Sequence, residues 1–356
     1  MNVLLVGGGT AGSVTPLLAV AEQIRKRQPE TNFLFLGTAH GPETTLVPTS
    51  HIPFQSISSG KLRRYWSWSN FTDLIRTVAG VFQSWRLMRQ WRPDVVIGAG
   101  SYVCVPVCFA ARLLRIPIMV HQQDVVSGLA NRIIAPWASK ITVTFAASAK
   151  SFPKSKVEVT GNPVRQAISR SDTRKGRSFL GIAPERQIIL CIGGGTGAVA
   201  LNTLVSAAAP EILSVADVVH LTGGRATRSV EDPRYHAFEF LNQELPDVLA
   251  AASVVVTRAG LGMLSELGCL GKPAIVIPMP ETHQEANANI LKEHQAAIVV
   301  DQRTMTPHQF ASIIVSVLED HQQRTALGTA LHKIFTPGAS ERLAEMVLAY
   351  DPQRLH

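Results

Sequence analysis

The fold is decided by a ten-residue stretch near the start of the chain, VLLVGGGTAG at residues 3–12. Its four apolar residues predict a buried strand, and the glycines predict a tight turn into a helix that begins near Pro16. The same pattern returns as IILCIGGGTGA at residues 188–198. The repeat predicts two domains of one type, each with a glycine-rich turn between its first strand and its first helix.

The length of 356 residues also fits two domains rather than one core. Strand-like runs alternate with helical patterns in both halves, which favours parallel sheets covered on both faces. We therefore expect an α/β protein with two Rossmann-like, doubly wound parallel-sheet domains that face a cleft. The expected domains are 1–165 and 187–340, with a polar linker at 166–186 and a C-terminal helix at 341–356 that packs back on the N-terminal domain.

Composition narrows the class of protein. No run approaches the ~20 apolar residues of a membrane-spanning helix, and no basic leader precedes the first strand, so we expect a cytoplasmic protein. The four cysteines lack metal-binding spacing and are expected to be packing thiols in a reducing compartment. Basic residues are concentrated in residues 1–165, with 18 Lys and Arg against 7 Asp and Glu, whereas residues 166–356 have 16 against 19.

Much of this basic character lies in residues 61–92, which hold seven basic residues, one acid and four of the five tryptophans. Nucleic-acid binding is the competing interpretation. Apolar residues at helical spacing between Leu74 and Met88 instead favour an interfacial helix on an anionic membrane, without a nucleic-acid partner. An ordinary core-facing helix remains the alternative. The candidate membrane residues are Trp66, Trp68, Phe82, Trp85, Arg86 and Arg89.

The glycine turns allow two interpretations. A helix that begins at such a turn can bind an anion through its unpaired N–H groups, or the glycines can serve tight packing alone. A dinucleotide dehydrogenase is not favoured, because the strand at Phe33–Leu36 ends in Gly37 and Thr38 without an acid for a ribose. We expect no cofactor.

A third glycine-containing segment, TRAGLGMLSE at residues 257–266, is the sharpest local signal. A turn at Gly260 and Gly262 can offer N–H groups to a diphosphate, and Glu266 in the following helix can bind two ribose hydroxyls. The alternative is that Glu266 is an acid favoured by the helix dipole. His283 and Gln284 follow on the next loop between a strand and a helix.

Together these motifs resemble the GT-B glycosyltransferases of family 28 over nearly the full length of the chain. The matching segments are Gly8–Thr10 with Pro16, 91–103, His121 with Gln123, 128–131, 161–165, 193–198, 258–266 and 283–284. The resemblance implies transfer of N-acetylglucosamine from UDP-N-acetylglucosamine to a lipid-linked muramyl pentapeptide, which converts lipid I to lipid II in peptidoglycan synthesis. It further implies a peripheral protein at the cytoplasmic face of the plasma membrane.

The resemblance also implies the binding residues. Backbone at Leu241 would contact uracil, Glu266 the ribose, and Arg165 would close on the nucleotide. The full set expected to bind UDP-N-acetylglucosamine is Thr10, Gly12, Asn131, Arg165, Gly195, Thr196, Leu241, Gly262, Met263, Glu266, His283 and Gln284. The acceptor's pyrophosphate is expected at Gly9, Thr10, Ala11 and Gly12.

The chain departs from the family pattern where a general base is needed. Ser13 replaces a family histidine, and His121-Gln122-Gln123-Asp124 replaces His-Glu-Gln-Asn. The candidate catalytic residues are therefore His121, Asp124 and Ser13, with the alternative that Asp124 only caps the next helix. A third departure is Gly195-Thr196, where the family has Ser-Gln.

The chain has no Asp-x-Asp motif, so we expect a metal-independent, inverting displacement in which N–H donors stabilise the leaving diphosphate. Two other functions remain open. A UDP-sugar epimerase has a similar two-domain body but needs no basic, tryptophan-rich segment. A non-catalytic paralogue that binds UDP-sugar or lipid would keep Glu266 and Arg165 without turnover.

Overall fold

The computed structural model describes residues 1–60, 69–194, 198–225, 229–335 and 337–352. The chain forms two compact units. The first consists of Met1–Arg165 together with Gly338–His356, and the second of Gln166–Pro337. Each unit is built on one parallel β-sheet with helices packed against it, as the repeated sequence pattern predicts.

The first unit contains a seven-stranded sheet in the order β3-β2-β1-β4-β5-β6-β7. The strands are β1 Asn2–Val6, β2 Asn32–Gly37, β3 Phe54–Ser56, β4 Val95–Gly98, β5 Ile118–Gln122, β6 Lys140–Val143 and β7 Val157–Val159. The pairings between these strands are parallel. The sequence predicted six of these strands and missed β3, because three residues with two exposed polar side chains carry little hydrophobic signal.

Helices cover both faces of this sheet. They are α1 Thr15–Arg27, α2 Glu43–Thr49, α3 Ser69–Trp91, α4 Cys104–Leu113, α5 Leu129–Ile134 and α6 Ala146–Ala149. Along β1, Val3 and Leu5 belong to a core with α1, whereas Leu4 and Val6 belong to a second core with α4. Alternate residues of a strand face opposite sides, so β1 is buried on both faces.

The second unit contains a six-stranded sheet in the order β10-β9-β8-β11-β12-β13. The strands are β8 Ile188–Ile192, β9 Asp217–Leu221, β10 Tyr235–Phe238, β11 Val254–Thr257, β12 Ala274–Val276 and β13 Ile298–Val299. Its larger helices are α9 Val199–Ile212, α10 Leu245–Ala251, α11 Leu261–Leu270, α12 His283–Glu293, α13 Pro307–Glu319 and α14 His321–Ile334. The sequence placed β10 two residues late, at 237–240.

The segment 166–186, expected to be a linker, contains two helices of the second unit, α7 Gln166–Ser169 and α8 Thr173–Leu180. The carboxylate of Asp172 accepts a hydrogen bond from the backbone N–H of Arg174 at 2.8 Å and so caps α8. A Cβ atom at Gly176 would collide with the backbone of Asp247, so α8 packs closely on α10. The polar composition reflects the exposed face of a short helix rather than an extended linker.

The last helix, α15 Ala339–Leu348, completes the core of the first unit. Leu343 and Val347 are fully buried with α1 and β1. The Ser340 hydroxyl bonds both the N–H and the carbonyl of Val164 at 2.9 Å. The C-terminal segment is thus held by both apolar packing and hydrogen bonds.

The first sheet buries a histidine, His121 on β5, between two polar partners. Its Nε2 lies 3.0 Å from Asn162 Oδ1, and its Nδ1 lies 2.9 Å from Thr142 Oγ1. An amide oxygen only accepts, so Nε2 carries the proton and Nδ1 accepts from the threonine hydroxyl. Burial lowers the pKa of His121 to about 4, so the ring is neutral at physiological pH.

The second sheet repeats the arrangement around His220 on β9. Its Nε2 lies 3.1 Å from Asn202 Oδ1, and its Nδ1 lies 2.6 Å from the hydroxyl of Tyr235. Burial again lowers the histidine pKa to about 4. In each sheet, therefore, a neutral histidine forms hydrogen bonds to side chains from two other parts of the same unit: Thr142 and Asn162 for His121, and Asn202 and Tyr235 for His220.

These histidines make stability depend on pH. The ordinary histidine pKa of 6.5 applies when the chain unfolds, so the unfolded state binds the proton more tightly than the folded state. Stability should fall as the pH drops from 6.5 towards 4, by roughly 2 kcal/mol for His121 between pH 7 and pH 5. All five tryptophans lie in the first unit, so urea unfolding followed by tryptophan fluorescence reports on His121.

The matched variant is His121→Gln, whose amide can replace both hydrogen bonds without titrating. We expect the free energy of unfolding of this variant to change less between pH 7 and pH 5 than that of the wild type. His51→Gln, at an exposed histidine of the same unit, is the control. Identical pH dependence of wild type and His121→Gln would contradict the assignment of a neutral, buried imidazole.

Candidate functional site

Strand order reverses beside the first strand of each sheet. β1 lies between β2 and β4, and β8 lies between β9 and β11. At such a point the loops after the two neighbouring strands leave in opposite directions and open a crevice at the carboxyl edge of the sheet. In the first unit these loops are the first glycine turn and Gly98–Ser101. In the second unit they are the second glycine turn and Thr257–Gly260.

Ser13, a candidate base, closes the first glycine turn on itself. Its hydroxyl accepts from the N–H of Gly8 at 3.0 Å and lies within donating distance of the carbonyls of Gly8 and Thr10. The side chain is buried. These contacts give Ser13 a part in holding the turn, and a serine hydroxyl is in any case a weak base.

Glu43, at the start of α2, is a residue that sequence reasoning missed. Its side chain is fully buried, and its carboxylate accepts from the N–H of Gly9 at 3.0 and 3.1 Å. It also accepts from the N–H of Thr38 at 2.8 Å and from the Thr38 hydroxyl at 2.5 Å. The first glycine turn therefore binds an anion that the protein itself supplies. The only sequence signal is an acid in the first turn of a short helix.

The loop after β5 carries Asp124 to the first glycine turn. Gln123 Nε2 donates to the carbonyl of Gly12 at 2.5 Å, which fixes this loop beside the turn. Asp124 is half-buried, whereas both ring nitrogens of His121 are engaged inside the sheet. The geometry thus disfavours His121 as the base and leaves half-buried Asp124 as the stronger candidate.

Asn131 on α5 is buried against the loops after β4 and β5. Its Nδ2 donates to the carbonyl of His121 at 3.2 Å and to Gln122 Oε1 at 2.8 Å. Its Oδ1 has no partner among the described residues, and the same is true of the buried hydroxyl of Ser101. Gly100 has a φ of +85°, and a Cβ atom there would lie 3.0 Å from Asn131 Nδ2, so only glycine fits.

The second glycine turn follows β8. Gly195 and Thr196, two predicted donor-binding residues, lie outside the described residues. Among the flanking residues, a Cβ atom at Gly193 would lie 2.7 Å from the Cβ of Ala198. The turn is therefore closely packed where α9 begins.

The loop after β11 places a buried cation at the start of α11. Arg258 Nη1 donates to the carbonyls of Ile277 at 3.1 Å and Pro278 at 3.3 Å. Its Nε is buried without a partner, and no carboxylate pairs with the guanidinium in the described parts of the chain. Burial lowers the pKa of Arg258 from its usual value, although an arginine stays protonated.

α11 adds to this positive potential. Its N-cap residue, Gly260, has no side chain that could cap the helix, and the N–H groups in the first turn of a helix favour an anion placed there. Gly262 and Met263 are half-buried in its first turn, and Glu266 is buried one turn later. The arrangement is suited to a diphosphate near Arg258 and a hydroxylated group near Glu266.

α12 brings further predicted residues to the same loops. The Thr282 hydroxyl accepts from the N–H of Gln284 and caps the helix, while Gln284 Oε1 accepts from the N–H of Met279 at 3.0 Å. Asn287 Nδ2 donates to the carbonyl of Ala259 at 3.0 Å. Exposed His283 and half-buried Gln284 therefore share the carboxyl edge of the second sheet with the segment 257–266.

The other predicted donor-binding residues are distributed over both units. Leu241 is buried three residues after β10, next to exposed Phe240. Thr10, Gly12 and Asn131 lie in the first unit, and Arg165 is its last residue before the second unit begins. The described residues contain no group of three or more His, Cys, Asp or Glu side chains arranged to hold a metal ion.

Helix α3 exposes its apolar side. Leu74, Ile75, Val78 and Phe82 are each more than half exposed. The side facing the protein is small or polar at Gly80, where a Cβ atom would collide with the backbone of Ser58, and at fully buried Ser84. It is apolar at Met88, which is buried in the core of the first unit, with Val81 and Trp85 packed against that core. The part of α3 from Leu74 to Phe82 thus exposes four apolar side chains, and its contact with a membrane stays a prediction. Trp66 and Trp68 lie outside the described residues.

The remaining membrane candidates adjoin the apolar side of α3. Phe82 and Trp85 stack with ring centroids 6.0 Å apart, and the Arg89 guanidinium lies 4.8 Å from the centroid of the Trp85 ring. Arg86 is exposed one helical turn beyond Phe82. Nowhere in the described ranges is there a helix with the length and apolar character to cross a bilayer.

Comparison with solved structures places the fold. The crystal structure of MurG from Acinetobacter baumannii superposes with a TM-score of 0.74, 26% identity, and coverage of 98% of this chain and 99% of that one. UDP-GlcNAc 2-epimerase from Neisseria meningitidis, solved with UDP-GlcNAc bound, gives a TM-score of 0.69 at 15% identity, over 98% of this chain and all of the other. The second likeness is one of fold alone.

Sequence comparison gives the family. A relative from Bacillus cytotoxicus is 36% identical over 98% of both chains and is named UDP-N-acetylglucosamine–N-acetylmuramyl-(pentapeptide) pyrophosphoryl-undecaprenol N-acetylglucosamine transferase. The glycosyltransferase family 28 N-terminal domain matches residues 3–143, and the family 28 C-terminal domain matches residues 188–343. With both of its domains matched in order and a full-length relative at this identity, the chain belongs to glycosyltransferase family 28.

Proposed function

We propose that this chain transfers N-acetylglucosamine from UDP-N-acetylglucosamine to the lipid-linked muramyl pentapeptide, lipid I, and so forms lipid II for peptidoglycan. The name and full-length similarity of the Bacillus cytotoxicus relative support this activity. The observation in the structure that carries it is the buried Arg258 at the start of α11, which has no carboxylate partner among the described residues, so that a nucleotide diphosphate would supply the missing anion.

The second unit is the proposed donor site. The diphosphate would accept from the N-terminal N–H groups of α11 at Gly262 and Met263, with Arg258 behind them. Glu266 lies one turn further along the same helix and would bind the ribose hydroxyls. His283 and Gln284 would contact the sugar, Leu241 the uracil, and Arg165 the nucleotide. Gly195 and Thr196 belong to this proposal through the family resemblance alone.

The first unit is the proposed acceptor site. The N–H of Gly9 is occupied by Glu43, so the acceptor's pyrophosphate is assigned to the next amides, at Thr10, Ala11 and Gly12. These amides have no hydrogen-bond acceptor among the described residues. Asn131 and Ser101, with unpartnered buried oxygens nearby, are available for hydroxyl or amide groups of the acceptor.

For the chemical step, the acceptor hydroxyl attacks the anomeric carbon as the bond to UDP breaks, with inversion. Asp124 is the proposed general base, because its loop is fixed to the first glycine turn through Gln123 and its side chain is half-buried rather than sealed. The developing charge on the UDP diphosphate would be stabilised by Arg258 and the α11 N-terminus, without a divalent ion.

Helix α3 is the proposed membrane contact. Its four exposed apolar side chains would enter the interfacial region, while Arg86 and Arg89 would meet anionic headgroups. This attachment would hold the acceptor-binding unit at the cytoplasmic face of the plasma membrane, where the lipid carrier resides.

One incubation with labelled UDP-N-acetylglucosamine and a lipid I analogue tests the activity. Labelled lipid product would support the transferase. An altered sugar nucleotide would indicate an epimerase, and binding without turnover would indicate a non-catalytic paralogue.

Replacing Arg258 tests the donor site. Arg258→Met keeps the length of the side chain but removes its charge and its hydrogen bonds, so we expect the Kd for UDP-N-acetylglucosamine to rise about tenfold to a hundredfold. Isothermal calorimetry measures this change. Arg303→Met, at an exposed arginine paired with Asp301, is the control and should bind normally. Unchanged donor affinity in Arg258→Met would remove Arg258 from the site.

Replacing Asp124 tests the base. Asp124→Asn should lower kcat by about a hundredfold or more and change both KM values little, because the amide fills the same space but takes no proton. Steady-state assays with both substrates measure this. His121→Gln should retain most of the turnover, because the His121 side chain is bonded to Thr142 and Asn162 inside the sheet. Full turnover by Asp124→Asn would exclude Asp124 from the mechanism.

Reversing the charge of α3 tests membrane attachment. The triple variant of Arg86, Arg89 and Arg92 to Glu should lose binding to phosphatidylglycerol-containing vesicles, because each basic residue contributes about 1 kcal/mol at an anionic surface. Co-sedimentation with vesicles measures the bound fraction. A triple variant of Arg170, Arg174 and Lys175 to Glu makes the same charge change on the second unit and should bind as wild type. Equal binding of both triple variants would refute the role of α3.

A further inference from the structure

The first glycine turn is shaped around the Glu43 carboxylate. A Cβ atom at Gly8, Gly37 or Gly41 would collide with the Glu43 side chain. Three separate glycines thus leave room for one internal side chain. The Glu43 side chain therefore explains why these three positions are glycine, and no ligand contact is needed to explain them.

The buried carboxylate is stabilised by hydrogen-bond donors rather than by a cation. No lysine, arginine or histidine of the described residues pairs with Glu43, which instead accepts from Gly9 and from both donors of Thr38. A carboxylate in such a cradle stabilises the backbone that forms it, because removing the carboxylate would leave the N–H groups of Gly9 and Thr38 without this acceptor.

This contact separates the amides of the turn into two groups. Gly9 has a φ of +81°, and its N–H faces the carboxylate. The amides of Ala11 and Gly12, which begin the 3-10 turn Ala11–Ser13, are left without an acceptor among the described residues. Fixing the Gly9 peptide therefore fixes the direction of the amides that follow it.

We propose that Glu43 is a positioning residue of the acceptor site, an internal anion that orients the first glycine turn so that Ala11 and Gly12 present their N–H groups to the acceptor's diphosphate. The inference rests on the proposed function, since it assigns a diphosphate to this turn. Glu43 itself does not touch the substrate. Its effect is transmitted through the Gly9 peptide.

Glu43→Gln is the first test, because it keeps the volume of the side chain but replaces an acceptor oxygen with an NH2 group facing N–H donors. We expect kcat/KM for the lipid acceptor to fall about tenfold or more, and KM for UDP-N-acetylglucosamine to stay within about twofold. A purely structural role would lower the melting temperature and the active fraction without selecting between the substrates. Glu30→Gln, at an exposed glutamate of the same unit, is the matched control.

Chemical rescue is the second test. Glu43→Ala leaves a cavity framed by the same donors, so added formate should restore kcat/KM for the acceptor with saturation, and should leave wild type and Glu30→Gln unchanged. If Glu43→Gln and Glu43→Ala fail to fold, Thr38→Val removes one donor to Glu43 at nearly constant volume. It should lower acceptor kcat/KM in the same direction by about two- to fivefold.

Binding of farnesyl diphosphate, measured by calorimetry, separates this inference from the proposed activity. Weaker binding by Glu43→Gln than by wild type supports the positioning role even if no sugar is transferred, and that absence of transfer would overturn the proposed function alone. Normal transfer with equal acceptor kcat/KM in wild type and Glu43→Gln would overturn the inference alone. Absence of farnesyl diphosphate binding to wild type would overturn the inference, whatever the transfer assay shows.

Discussion

Parallel pairing of the first strand of each sheet with neighbours on both sides is the constraint on which the rest depends. Because β1 and β8 are central, their residues must be apolar on both faces, and their carboxyl ends must lie at the point where strand order reverses. Most candidate binding residues with a described position follow a strand at the carboxyl edge of a sheet or lie in the first two turns of the next helix, whereas His121 lies inside β5. The chemistry of each unit is therefore confined to a few loops by the topology of its sheet.

The crevices of the two units contain buried charges of opposite sign. In the first unit, the anion-binding turn already contains the carboxylate of Glu43, and its outward amides remain unfilled. In the second unit, Arg258 is a buried cation that lacks a carboxylate among the described residues, next to an uncapped helix N-terminus. A buried, incompletely bonded cation is costly until an anion arrives. The first turn thus keeps a fixed internal anion, whereas the buried cation of the second unit is suited to an anion from outside the chain.

The sequence predicted those parts of the structure that depend on local pattern. The central strands, the glycine turns and the helix carrying Glu266 follow from apolar runs and from the glycines that mark the turns between them. The roles of Glu43 and His121 could not be predicted, because both depend on partners distant in sequence. The partners of His121 lie 21 and 41 residues away, and Glu43 contacts Gly9 34 residues away. The expected linker at 166–186 was misjudged because a short helix with one buried face resembles a loop in composition.

The return of α15 to the first unit has a consequence for biosynthesis. The second unit is one continuous segment, so it can complete its core while the ribosome is still at work. The first unit cannot, because Leu343 and Val347 belong to the core that contains β1, and Asp351 accepts a buried hydrogen bond from Gln28 at 2.7 Å. A ribosome that stalls before residue 339 therefore leaves the core around β1 open to solvent, even though the strands of that core have already been made.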